Sequence, residues 1–155
     1  MKILDTNLWV FGTLGTNDRA ERLLAEIERG ETISAINAYM VQEALNAFDR
    51  TPGLTMTERD ELQTLFLTRL TRMTGLVEAP SSRDVTDSLL DERRANVRTQ
   101  LLARVLTIQP KDVPILVLAF EHRDREPTLL TNDADFAAFS PADAELSEIT
   151  LEHVE

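Results

Sequence analysis

Four carboxylates, Asp5, Glu43, Asp112 and Asp133, stand where ordinary surface acids are not expected. Asp5 lies between two apolar runs, Ile3-Leu4 and Leu8-Trp9-Val10-Phe11, where burying an unpaired charge costs several kcal/mol. Asp133 sits inside Leu129-Leu130-Thr131-Asn132-Asp133-Ala134-Asp135-Phe136, and Asp112 follows Lys111 and precedes the apolar run Val113 to Phe120. On a helical wheel Val41, Ala44, Leu45 and Phe48 form the centre of an apolar arc. Glu43 falls at its edge, beside Met40 and Ala47, and so faces partly inward. Each acid alone has a plain structural use. Asp5 can cap the turn after a strand, Asp112 can cap a helix, Asp133 with Asp135 can make an Asx-turn, and Glu43 can snorkel at the surface. Gathered at one place they imply something else. Two carboxylates ~5 Å apart repel by roughly 3 kcal/mol at an effective dielectric of about 20, so such a cluster persists only with a cation. The chain has no cysteine, and ligation by oxygen alone selects a hard ion, Mg²⁺ or Mn²⁺, over Zn²⁺.

The elements that must position these acids follow from periodicity. Lys2-Ile3-Leu4 reads as a strand ending at Asp5. Asn17 or Thr16 caps a helix with the stripe Ala20, Leu23, Leu24 and Ile27, closed by Gly30. Thr32 to Ala35 is a second short strand, and a helix carrying Glu43 runs from about Asn37 to Arg50 before Pro52-Gly53. Thr55 with Glu58, or Thr57 with Asp60, has capping-box spacing and opens a helix with Leu62, Leu65, Phe66, Leu70 and Met73. Leu76 to Ala79 is a third strand. From Asp84 to Ile108 the pattern is helical, with Val85 and Leu89 in its first part and a polar interruption at Asp91 to Asn96 that allows two helices. Pro114 suits the first turn of the next helix. Thr128 to Thr131 is a fourth strand and Ile149 to Leu151 a fifth. Short strands alternating with helices argue for an α/β domain with a parallel sheet. In such sheets functional groups gather at the carboxyl ends of the strands, and ordinary crossovers would make the first and fourth strands neighbours.

Composition bounds the function. At 155 residues the chain reads as one domain, 1–155. No apolar run approaches the ~20 residues of a membrane span, and no signal peptide is read, so a cytoplasmic protein without a membrane partner is expected. The formal net charge is −11, and of sixteen basic residues only Lys2 and Lys111 are lysines. That balance matches a salt-loving cytoplasm or a GC-rich genome, and it disfavours non-specific adhesion to nucleic acid at low salt. The chain has no GxxxxGK[ST] or GxGxxG motif. The lysine that a response-regulator receiver needs after its last core strand is also missing. His122 and His153 read as isolated surface residues. Arg93, Arg94 and Arg98 read either as a solvated helix face or as a positive rim for an RNA backbone.

The sequence resembles the PIN-domain ribonucleases, and among them the VapC-like toxins of toxin–antitoxin pairs. The resemblance is carried by Ile3-Leu4-Asp5-Thr6-Asn7, by Glu43 in Val41-Gln42-Glu43-Ala44, by Asp112, and by Thr131-Asn132-Asp133-Ala134-Asp135-Phe136. No one of these motifs is specific; the ordered set along the chain is the stronger signal. The resemblance implies a three-layer α/β/α fold around a mostly parallel sheet of four to five short strands. It implies an acidic quartet of Asp5, Glu43, Asp112 and Asp133, with Asn7, Thr131 and Asp135 in support and Asp5 and Asp112 as the principal Mg²⁺ or Mn²⁺ ligands. It further implies hydrolysis of RNA to 5′-phosphate and 3′-hydroxyl ends and an antitoxin partner; a homodimer is expected from apolar residues in excess of what a small sheet needs. The dimer surface is expected on the helix bearing Leu62, Phe66 and Leu70 and on the first helix. Pro114-Ile115-Leu116 departs from the alanine-rich helix start common in the family, which puts the placement of Asp112 in question. Two other classes fit the same acids: a catalytically silent PIN-like binding module, and a metal-dependent nuclease acting on structured DNA.

Overall fold

The structure, a computed structural model, describes residues 1–86 and 90–155. Its strands are β1 (Lys2–Leu4), β2 (Ser34–Ala35), β3 (Leu76–Glu78), β4 (Thr128–Thr131) and β5 (Thr150–His153). Every pairing among the described residues is parallel. β1, β4 and β5 form one sheet with β4 in the middle, and β2 pairs with β3. The Lys2 N–H donates to the Ile33 carbonyl at 2.9 Å, so the strands succeed one another as β3-β2-β1-β4-β5. The expected sheet is thus interrupted between β1 and β2, because β2 is only two residues long.

Ile3, Leu4, Leu129 and Leu130 are all fully buried. Successive residues of a strand point to opposite faces, so both faces of the β1–β4 pair are covered and the layers are α/β/α. The outer strands β3 and β5 are mostly exposed, as sheet edges in water should be.

α1 (Thr6–Leu14) follows β1 without a linker. α2 (Asp18–Glu28) is capped by Asn17, α3 (Ala38–Arg50) by Asn37, and α4 (Met56–Arg72) by the Thr55–Glu58 capping box. α5 (Ser82–Thr86), α6 (Leu90–Ala95) and α7 (Val97–Leu106) lie where the helical pattern was expected, and the polar stretch up to Ala95 is itself helical. The break falls at Asn96, whose side chain accepts from the Arg98 N–H; Leu89, expected on this helical stripe, lies outside the described residues. α8 (Val113–Glu121) and the short α9 (Ala134–Ala137) follow.

Trp9, Phe66 and Phe48 meet edge to face, with centroids 6.5 Å and 5.6 Å apart, and join α1, α4 and α3. Phe66 is 1% exposed, and Leu62 and Leu70 pack partly against the core. This removes Phe66 from the expected partner surface: an aromatic long enough to reach Trp9 is used inside. Among the described residues no helix is long and apolar enough to cross a membrane.

Candidate active site

From β1 the chain builds β2 and β3 on one side and β4 and β5 on the other. Such a reversal opens a crevice beyond the carboxyl ends of the two central strands. Asp5 is the first residue past β1, and Thr131 is the last of β4, one step beyond the paired Leu4 and Leu130. The Asp5 N–H is used by the sheet, donating to the Leu130 carbonyl at 2.8 Å. Its side chain is 5% exposed and accepts the Thr131 hydroxyl at 2.6 Å. That hydroxyl also accepts the Asp133 N–H at 3.0 Å. No N–H of α1 bonds the Asp5 carboxylate in capping geometry, although the Asn7 N–H is near enough to favour its charge. Burial raises the Asp5 pKa, the Thr131 hydrogen bond opposes, and Glu43 raises it further.

Asp112 occupies the N-cap position of α8 yet makes no side-chain cap hydrogen bond, so the expected capping role is not observed. It is 3% exposed. Pro114 lies in the first turn of α8 and its carbonyl accepts from the Asn37 side chain at 3.2 Å; the bulky helix start does not displace Asp112 from the crevice. Burial pushes the Asp112 pKa up to about 7; Lys111 opposes this, and Asp5, Asp133 and Glu43 add to it. Two buried carboxyls therefore face one crevice, and neither caps its helix.

The other two acids have partners within the chain. Glu43, half-buried on α3, accepts the Tyr39 hydroxyl at 3.1 Å and Arg94 Nη2 at 2.6 Å. Arg94 Nε also donates to the Tyr39 oxygen at 2.9 Å. Asp133 does what its bland reading says: Oδ1 accepts the Asp135 and Phe136 N–H groups at 3.0 Å and 3.2 Å and caps α9. Its Oδ2 takes Lys111 Nζ at 2.9 Å, which, first among the causes, lowers its pKa. Asn7 is exposed and donates to the Asn132 side chain at 3.0 Å. Asp135 is exposed, contributing only its N–H.

A cleft of about 1000 Å³ opens over Asp5, Asn7, Glu43, Arg94, Lys111 and Asp112. Asp133 borders it through Lys111 rather than lining it. Among the described residues no three acids or histidines stand as a ready metal cage. The donors present fit a different mode. Mg²⁺ commonly takes one or two carboxylates and keeps its waters, and Asp5 with Asp112 supplies two oxygen donors whose charge is costly without a cation. Arg93 and Arg98 line a second groove, with Asp84, Leu102 and Phe120, so the three arginines do not form one rim.

A solved structure has this fold. The crystal structure of VapBC2 from Rickettsia felis bound to a DNA fragment from their promoter matches with a TM-score of 0.54 over 99% of this chain and 98% of the other. Identity is 17%, a likeness of fold and no more. No protein-family model matches the sequence, and no curated protein matches it.

Sequence reasoning missed Lys111 and Tyr39 as parts of the site, and it read Arg94 as one of three rim arginines, not as the partner of Glu43 and Tyr39. Lys111 carried a signal, being one of two lysines and adjacent to Asp112. The pairing of Arg94 with Glu43 carried none, since it spans 51 residues.

Proposed function

We propose that the chain is a Mg²⁺- or Mn²⁺-dependent endoribonuclease, the toxin of a toxin–antitoxin pair. The observation that supports this most is the pair Asp5 and Asp112, both buried at the switch point of a parallel sheet and neither capping a helix. These two would hold the metal, which when bound lowers the pKa of a coordinated water and stabilises charge on the phosphate. Thr131 holds the Asp5 carboxylate in one orientation through its 2.6 Å hydrogen bond. Lys111 and Arg94 offset the remaining negative charge at the crevice mouth, where an RNA phosphate would otherwise be repelled. An antitoxin partner is proposed by analogy with the VapBC2 complex. A second copy of the chain is proposed on α7, whose Val97, Leu101 and Val105 are 73%, 56% and 77% exposed on one stripe. Asp5→Asn is expected to abolish metal-dependent RNA cleavage while leaving the circular dichroism spectrum native. Undiminished cleavage by that variant removes Asp5 from the mechanism.

A further inference from the structure

The cleft does not end at the acids. It continues between α1 and α3, where Val10, Phe11 and Leu14 line one wall and Ala47 and Pro52 the other. Asn46 and Arg50 lie along the same wall of α3 as Glu43. The side chain of Asn46 makes no hydrogen bond, and Arg50 no ion pair, among the described residues. Glu43 and Arg50 are seven residues apart on one helix, about 10 Å at 1.5 Å per residue. The groove therefore has an order: acids with Lys111 and Arg94 at one end, an apolar floor with an aromatic edge in the middle, and a cation at the far end.

We propose that this groove seats the nucleotide next to the scissile phosphate of a single-stranded RNA, its base against Phe11 and Leu14 and its outer phosphate at Arg50. The inference rests on the nuclease reading above. A duplex keeps its bases stacked on one another, and only an unpaired strand can lay a base against Phe11. The position of Arg50 answers the unfavourable net charge of −11 locally, by placing one cation where the strand leaves the acids.

The test is fluorescence anisotropy with a labelled single-stranded oligoribonucleotide and with its duplex, Ca²⁺ replacing Mg²⁺ to slow cleavage. Wild type is compared with Phe11→Leu, which keeps apolar volume, and with Arg50→Gln, each checked for a native melt. The single strand is expected to bind more tightly than the duplex. Phe11→Leu should weaken it by roughly 5- to 150-fold, the range of one lost stacking contact. Arg50→Gln should lower the slope of log K against log[salt] by about 0.7, one single-strand phosphate contact. Unchanged affinity and slope in both variants, with Asp5→Asn still inactive, leaves the groove to a protein segment and overturns this proposal but not the nuclease reading. Failure of wild type to bind single-stranded RNA at all overturns both.

Discussion

Asp112 and Arg94 carry opposite electrostatic roles, and each makes a signed prediction. A carboxyl whose folded pKa lies above its unfolded value binds its proton more tightly when folded. Between about pH 4 and the folded value of about 7 for Asp112, the folded state holds more protons, so this residue's contribution to stability falls as pH rises. In EDTA at pH 7.5, Asp112→Asn is therefore expected to melt above wild type by ~1–2 kcal/mol, about 2–8 °C for a chain of this size. Excess Mn²⁺ should reverse the order, because it stabilises the folded form that binds it. Mn²⁺ affinity of wild type should rise as pH increases through about 7, since Asp112 must lose its proton to ligate. Equal wild-type melts with EDTA and with Mn²⁺ would remove the metal site. Arg94→Gln strips Glu43 of its cation. Calorimetry should find the variant binding Mn²⁺ several-fold more tightly, while its metal-free form is less stable by about 1 kcal/mol, as for a partly exposed pair. A variant with weaker Mn²⁺ binding would place Glu43 outside the metal's field.

At the scale of elements, the position of α1 decides the site, since this helix starts directly after Asp5 and carries Asn7 and Phe11. Gly12 sets its distance from α2. A Cβ there would lie 2.9 Å from the Ala20 carbonyl oxygen and from both Leu24 methyls. The leucine can turn away; the backbone oxygen cannot. Gly12→Ala gains helix propensity of ~1 kcal/mol yet is expected to lose about 1–3 kcal/mol from overpacking, for a net loss read as a lower urea midpoint with unchanged m-value. A midpoint equal to wild type or higher would show that the two helices separate freely. The Glu78–His122 contact of 2.7 Å places the supposedly isolated His122 at the end of α8, where it ties that helix to β3.

The whole molecule carries a net charge of −11, which opposes both association and RNA binding at low salt. The exposed stripe of α7 pulls the other way. Sedimentation at tens of micromolar should therefore show more dimer at 0.5 M salt than at 0.05 M, because screening lengths shrink from about 14 Å to about 4 Å. Val105→Asp is expected to abolish the dimer at both. A wild type that stays monomeric in high salt would leave α7 without a second copy.

The strand ends, the capped helices and the break near Asn96 were legible because each is a local event: a period change, a cap or a polar interruption within a few residues. Asp5 and Asp112 were legible as candidates because a charge beside an apolar run is anomalous wherever the chain goes. α1 was not assigned from sequence, since its buried Leu8, Trp9 and Val10 are consecutive and leave no amphipathic period to read. The fate of each acid was decided only by tertiary structure. Asp133 caps α9 and takes Lys111, Glu43 takes Tyr39 and Arg94, and Asp5 and Asp112 make no ion pair among the described residues. Residue type states what a side chain can bind; which partner arrives depends on strand order, helix length and a contact such as Arg94–Glu43 made across 51 residues. No local pattern encodes that distance.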